Sequence, residues 1–130
     1  MAQEQELDDQ VALTAEKIRA GKTSLGIEFG STRIKAVLID DTYRTIAAGD
    51  YGWASHLEDG LWSYSQDEIW RGLQSAYAAM AQNVETAYGE KLTHIGHIGF
   101  SAMMHGYLAF DKNGELLVPF RTWQNTNTSE

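Results

Sequence analysis

Two β-rich runs joined by a short glycine-bearing connection constrain the fold of this chain more than any other stretch. The runs extend from Ser24 to Glu28 and from Ile34 to Asp40, and residues 29–33 between them read Phe-Gly-Ser-Thr-Arg. Runs of this composition favour strands, and a short connection that contains glycine is suited to a hairpin. The sequence therefore predicts an antiparallel hairpin over residues 24–45.

The remaining elements mix helices and strands. Ser65 and Glu68 have the spacing of a capping box, and apolar residues then recur at steps of three and four until Gly89, which predicts a helix over Gln66–Tyr88. The other predicted elements are an amphipathic helix over Glu4–Ala20, a strand over Thr45–Trp53, an irregular extended passage over Gly60–Tyr64, a buried strand over His94–Ser101, and a hairpin whose strands, Tyr107–Phe110 and Leu116–Val118, flank an Asn-Gly turn. This order indicates an α/β domain with a mixed sheet.

Charge and composition argue against several classes of function. The formal net charge is −8, from 18 acidic against 10 basic residues, and no segment gathers the basic residues into a patch for a nucleic-acid backbone. The chain has no cysteine, so disulfides and thiolate metal sites are unavailable. The acidic N-terminus lacks a signal-peptide pattern, and no run approaches the roughly 18 apolar residues of a membrane span. We expect no nucleic-acid or membrane partner and a cytoplasmic location.

The connection between the first two strands carries groups that suit phosphate. Gly30 allows the backbone to approach an anion closely, Ser31 and Thr32 offer hydroxyl and amide donors, and Lys35 offers positive charge. Glu28 could hold Mg²⁺ through water, since this ion keeps much of its hydration shell. By residue type alone, an ordinary hairpin glycine explains the same turn.

A second group of polar residues follows the predicted buried strand. Residues 99–106 read Gly-Phe-Ser-Ala-Met-Met-His-Gly, so His105 emerges at the carboxyl end of the strand, where α/β sheets place ligands. By type alone, a surface histidine beside a glycine is the simpler interpretation. The three tryptophans ahead of this segment have apolar neighbours and are interpreted as core or interface residues: Trp53, Trp62 and Trp70.

Three segments together resemble the FGGY family of carbohydrate kinases. Residues 27–35 are similar to the first phosphate motif of the actin, hexokinase and sugar kinase superfamily, Ile-Asp-x-Gly-Thr-Thr-x-x-Lys, with Glu28 and Ser31 in place of aspartate and threonine. Residues 99–106 resemble the Gly-x-Ser-x-Gln-Met-His-Gly motif of the xylulose kinase branch. Residues 123–128 are similar to Trp-x-Asp-x-Arg-Thr, with Trp123 and Thr128 matched, Asn125 in place of the aspartate and Asn127 in place of the arginine.

The resemblance implies both a fold and a set of site residues. The fold is ribonuclease-H-like, with residues 24–130 as the N-terminal portion of the first kinase domain and residues 1–23 as a helical extension. ATP phosphates would contact Gly30, Ser31, Thr32 and Lys35, with Mg²⁺ held through water by Glu28. The sugar would contact Met104, His105, Trp123 and Asn125. No catalytic residue is assigned, because the family's general base lies farther along its chain.

The implied activity is ATP-dependent phosphorylation of a hydroxyl on a sugar or polyol, with this chain inactive alone. Two alternatives stay open, a nucleotide-driven switch ATPase of the same superfamily and a sugar-binding relative without turnover. The first would have no use for the segments around His105 and Trp123, whereas the changes at Glu28, Asn125 and Asn127 permit the second. Apolar faces that the missing family elements would cover predict a homo-oligomer or packing by the first helix.

Overall fold

A computed structural model describes residues 1–125 of the protein; Asn127 and Thr128 of the third motif therefore lie outside the described residues. Its elements, in chain order, are helix α1 (Ala2–Arg19), strands β1 (Thr23–Phe29), β2 (Arg33–Asp40), β3 (Thr45–Gly52), β4 (His56–Glu58) and β5 (Leu61–Ser63), helix α2 (Gln66–Tyr88) and strand β6 (His97–Ala102). The main sheet has the order β3-β2-β1-β6, and β4 and β5 form a separate two-stranded sheet.

The predicted hairpin is confirmed. β1 pairs antiparallel with β2 from Thr23 opposite Asp40 to Phe29 opposite Ile34, and β2 pairs antiparallel with β3. After α2 the chain returns as β6, which lies parallel to β1 with Glu28 beside Ser101. The mixed α/β sheet predicted from the order of elements is therefore present.

The core lies between the sheet and α2. Alternate residues of β1 and β2 are buried in one cluster with residues of α2; from the strands they are Leu25, Ile27, Ile34, Ala36 and Leu38, and from the helix Ala76, Met80 and Val84. The helix approaches β3 so closely that a Cβ atom at Gly49 would lie 2.4 Å from the Ala76 carbonyl oxygen and from the Met80 nitrogen. Glycine at this position is what allows α2 to lie directly on the backbone of β3.

Local signals fix both ends of α2. The Ser65 hydroxyl accepts a hydrogen bond from the Glu68 backbone nitrogen at 3.4 Å, as the capping box predicts. Gly89 ends the helix with φ 67°, a conformation that costs glycine little. The predicted bounds of this helix are confirmed because both signals are local in sequence.

Helix α1 packs through its C-terminal half. Ala15 and Ile18 are buried, whereas Leu7, predicted on the same apolar face, is exposed. Lys17 forms ion pairs with Asp40 at 3.3 Å and Asp41 at 2.9 Å. The helix is thereby tied to the end of β2 that lies farthest from the Gly30 connection.

Asp40 is the buried partner in this attachment. Burial alone would raise the pKa of its carboxyl group, but hydrogen bonds from the Thr42 hydroxyl, from the Arg44 and Thr42 backbone amides, and from Lys17 outweigh it and hold that pKa well below its ordinary value. The carboxylate therefore stays ionised in the folded chain at neutral pH.

Three sequence expectations were wrong in detail. The strand predicted as buried is exposed along its whole length, because β6 is the sheet edge in the described residues while α2 lies over β2 and β3; Ile98 and Phe100 are 56% and 68% exposed. The passage predicted as irregular contains β5, which pairs with β4. The second predicted hairpin has no strand ladder, since Tyr107 pairs with Arg121 in an isolated bridge and Phe110 with Leu116 in another.

Candidate functional site

The connection between β1 and β2 is a tight turn centred on Gly30, Ser31 and Thr32, hereafter the Gly30 turn. The Gly30 amide donates to the Arg33 carbonyl at 2.9 Å, which closes the turn. A Cβ atom at Gly30 would lie 3.1 Å from that carbonyl oxygen and 3.9 Å from Oε1 of Glu28. The glycine thus permits the close turn, and the Glu28 carboxylate lies beside it.

Two buried aromatic residues hold the carbonyl groups of this turn. The Trp53 indole nitrogen donates to the Gly30 carbonyl at 2.7 Å, and the Trp53 backbone amide donates to the Thr32 carbonyl at 3.1 Å. The Tyr64 hydroxyl donates to the Ser31 carbonyl at 2.7 Å. Burial raises the pKa of this hydroxyl, so it remains a donor.

The direction of these hydrogen bonds determines which backbone groups of the turn face outward. In a trans peptide the carbonyl and the following amide lie in one plane and point in opposite directions. Because the Gly30 and Ser31 carbonyls face Trp53 and Tyr64, the amides of Ser31 and Thr32 face away from these rings. Both residues are exposed, and successive outward amides of this kind form an anion-binding concavity.

A row of polar side chains crosses the open face of the sheet beside the turn. Strand register aligns Asp50, Lys35, Glu28 and Ser101 on four adjacent strands. Glu28, Lys35 and Ser101 line a groove of about 330 Å³ that has glycines on two adjacent strands. Asp50 is paired with Arg33 at 2.8 Å, while Lys35 takes part in no ion pair among residues 1–125. The Lys35 charge is therefore available to a ligand anion.

The side chains beside the Gly30 turn fit Mg²⁺ only through a water-mediated contact. Within residues 1–125 no group of three or more histidine or acidic side chains is arranged to hold a metal ion. The Glu28 carboxylate lies beside the Gly30 turn, and Mg²⁺ bound with phosphates commonly uses one or two carboxylates plus water. The residues therefore fit a water-mediated contact from Glu28 to a nucleotide-bound metal.

The predicted sugar residues come together only in part. His105, Trp123 and Asn125 line one open groove of about 640 Å³, hereafter the His105 groove. Met104 is 86% exposed and is not among its lining residues, whereas Met103 packs against the core. The structure thus brings three of the four predicted residues to one site.

The side chain of Asn125 is hydrogen-bonded to backbone groups of the protein within this groove. Its side-chain oxygen accepts from the Trp62 amide at 2.8 Å, and its side-chain nitrogen donates to the Trp62 carbonyl at 2.8 Å and to the Thr122 carbonyl at 3.2 Å. An amide can make this two-way contact, whereas an ionised carboxylate has no donor for the two carbonyls. The asparagine at the position of the family aspartate thus joins β5 to the last described segment.

A series of tilted aromatic rings runs from the Gly30 turn toward the His105 groove. Trp53 and Tyr64 have ring centroids 4.2 Å apart, and Tyr64 and Phe120 have centroids 5.7 Å apart. The Phe120 ring lies against Gly106, where a Cβ atom would approach within 2.6 Å. We call Trp53, Tyr64 and Phe120 the aromatic ladder, because it runs from the turn to the residue after His105.

The sequence did not predict the aromatic ladder or six of the nine described residues that line the His105 groove. Trp53 was correctly interpreted as a core residue, but nothing local in sequence indicates that it holds the Gly30 carbonyl 23 residues away. Tyr107 and Arg121 also line the His105 groove. A basic residue two positions before Trp123, in a segment without acids, was a signal that could have found Arg121.

The Gly30 turn and the His105 groove are two separate polar features of one mixed α/β fold, and comparisons with known proteins identify the family of the chain. Residues 23–130 match the FGGY family of carbohydrate kinases, N-terminal domain. The chain belongs to this family, which confirms the resemblance drawn from the three motifs. The division at residue 23 into an extension and a domain stays a prediction.

Individual relatives are similar over most of this chain. It is 24% identical to a xylulose kinase of Klebsiella pneumoniae and 30% identical to a gluconokinase of Bacillus subtilis, over 82% of the chain in both cases and 21% and 20% of the relatives. The structure of gluconate kinase from Lactobacillus acidophilus matches 80% of the chain and 20% of its own length, with TM-score 0.65 and 22% identity. The predicted fold is confirmed, and the chain spans about a fifth of its relatives' length.

Proposed function

We propose that the protein is an ATP-dependent carbohydrate kinase, to which this chain contributes the first phosphate turn and part of the sugar site. The observation that carries the proposal is the engagement of three consecutive carbonyls, of Gly30, Ser31 and Thr32, by Trp53 and Tyr64. With the carbonyls held away, the turn offers an anion its amides without carbonyl repulsion. An ordinary hairpin would not require two buried donors for this purpose.

Phosphoryl transfer depends mainly on positioning and on stabilising charge. Bound Mg²⁺ would neutralise negative charge on the phosphates of ATP. In this chain, the Ser31 and Thr32 amides orient a phosphate, Lys35 supplies positive charge, and Glu28 holds water of the metal shell. His105 and Trp123 position the sugar in the other groove. The residue that accepts the proton of the sugar hydroxyl is not assigned within this chain, so we expect the chain alone to be inactive.

The named activities of the relatives suggest which sugars to test first. They comprise a xylulose kinase and a gluconokinase, so a ketose and a sugar acid are the first candidates. A switch ATPase is disfavoured, because it has no role for the groove that His105, Trp123 and Asn125 share. We also propose a cytoplasmic location and self-association. No helix within the first 125 residues combines the length and apolar character that spanning a bilayer requires.

Sugar-dependent ADP release by the full-length protein tests this function. We expect release with at least one sugar or polyol. Lys35→Ala should raise the Michaelis constant for ATP roughly tenfold, as expected for one lost charge-assisted contact. His105→Ala should raise the constant for the sugar and leave ATP binding without sugar unchanged. Exposed Lys91 and His56 provide the matched controls Lys91→Ala and His56→Ala. ADP release that no sugar stimulates would contradict the proposal.

A further inference from the structure

The His105 groove has an unusual charge for a protein as acidic as this one. Its lining residues among those described are His105, Tyr107, Ala109, Leu117, Val118, Arg121, Thr122, Trp123 and Asn125. They include an arginine and a histidine but no carboxylate, although the chain has a net charge of −8. A site for an uncharged polyol has no need of an arginine without a balancing acid.

The backbone of Arg121 is held in place, but among the described residues no acidic side chain pairs with its charge. Its backbone amide and carbonyl both pair with Tyr107, at 3.0 and 2.9 Å, which fixes the residue at the groove wall. Its side-chain Nε is buried and has no hydrogen-bond partner among residues 1–125. In the part of the chain that the structure describes, the cations in ion pairs are Lys17, Arg19, Arg33 and His56, and Arg121 is not among them.

The neighbouring Asn125 side chain makes no hydrogen bond to Arg121. Asn125 stands where the family motif has an aspartate, and its oxygen already accepts from the Trp62 amide. The same change removes the negative charge that would repel an anionic ligand. Arg121 lines the groove, so an anion bound there would balance the positive charge of its guanidinium group.

From these contacts we infer that the substrate of the His105 groove is an anionic sugar, bound through its negative group by Arg121. This inference rests on the proposed function and specifies its substrate class. The guanidinium group matches a planar carboxylate or a phosphate ester through two parallel hydrogen bonds. His105 and Trp123 are left to contact the hydroxyl-bearing part of the same molecule. A sugar acid and a sugar phosphate carry the same recognition chemistry.

Calorimetric titration of the full-length protein with matched ligand pairs tests this assignment. D-Gluconate against sorbitol compares a carboxylate with a hydroxymethyl group on one carbon skeleton, and glucose 6-phosphate against glucose does the same for a phosphate. We expect the anionic member of one pair to bind roughly 10- to 100-fold more tightly, the range for hydrogen bonds to a charged group. The ligand pair that shows the preference identifies the recognised group as a carboxylate or a phosphate.

Arg121 variants distinguish its charge from its packing. Arg121→Gln should weaken binding of the anion much more than binding of its neutral partner, which abolishes the preference, and Arg121→Lys should retain part of the preference. Equal affinity for both members of each pair, or a preference that survives Arg121→Gln, would overturn the inference. ADP release driven by neutral sugars alone would overturn it and leave the kinase function intact. Failure of every sugar, neutral or anionic, to stimulate ADP release would instead defeat the proposed function itself.

Discussion

The Gly30 turn lies between two strands that are paired along their whole length, whereas the His105 groove is bounded by segments joined through isolated bridges. Backbone ladders and buried aromatic donors fix the turn. The groove depends on a few contacts between distant segments, such as Asn125 with Trp62 and Tyr107 with Arg121. A phosphate group is the same in every ATP-dependent kinase, while sugars differ. The comparison suggests that the rigid part binds the constant group and the irregular part the variable one.

The largest expected effect on stability comes from disrupting the contact between α2 and the paired strands at Gly49. A Cβ atom there would lie 2.4 Å from backbone atoms of α2, so Gly49→Ala must push the helix off β3. We expect a loss of roughly 3 kcal/mol in the free energy of unfolding, measured by urea denaturation. Gly99→Ala is the matched control on β6, because no atom lies within 4 Å of its added Cβ. Equal stability of the two variants would contradict the described contact of α2 with β3.

The next effect concerns the turn itself. Tyr64→Phe keeps the ring in the aromatic ladder but removes the hydroxyl that holds the Ser31 carbonyl. The free energy of unfolding should fall by roughly 1–2 kcal/mol, and ATP affinity of the full-length protein should fall, while neutral sugar affinity should not. Tyr43→Phe, at a residue 86% exposed, should change none of these quantities. Unaltered ATP affinity in Tyr64→Phe would show that the turn needs no carbonyl anchor.

A smaller effect is expected in the irregular part. Asn125→Asp restores the family residue but loses the donor to the Trp62 and Thr122 carbonyls, at a cost of roughly 1 kcal/mol. Hydrogen exchange should increase over residues 61–63 and 120–125 and remain unchanged over residues 30–35. Asn113→Asp, at an exposed residue, is the control. An increase over residues 30–35 as well would mean that the two regions are not independently stabilised.

The last effect is absent at neutral pH and is expected only in acid, at the end of β2 that carries Asp40. The folded pKa of Asp40 lies below the unfolded value of 3.8, so the unfolded chain binds more protons between the two values. Its contribution to stability is therefore complete above about pH 4 and declines as the pH falls toward the folded pKa, by at most about 1.4 kcal/mol per pH unit.

Asp40→Asn should remove this part of the acid dependence, as followed by thermal unfolding at several pH values. Asp8→Asn, on the exposed half of α1, should retain it. An acid dependence that is identical in the wild type and Asp40→Asn would contradict the assignment of the low pKa to this carboxyl group.

The difference between the Gly30 turn and the His105 groove also explains how much of the structure could be predicted from sequence. Helix α2 and the first hairpin follow from signals a few residues apart, namely the cap at Ser65, the stop at Gly89 and the turn at Gly30. The anchoring of that turn by Trp53 and Tyr64 depends on residues 23 and 33 positions away, and the contact of Asn125 with Trp62 spans 63. Pairings over such distances arise from tertiary packing, which no local pattern encodes.

The central claim is that two separate sites, the Gly30 turn and the His105 groove, bind the two substrates. Hydrogen–deuterium exchange of the full-length protein, with MgATP and with the sugar added separately, tests it most directly. We predict that MgATP slows exchange at residues 29–35 and that the sugar slows exchange at residues 103–109 and 119–125. Protection of the groove segments by MgATP alone, with residues 29–35 unaffected, would contradict the account.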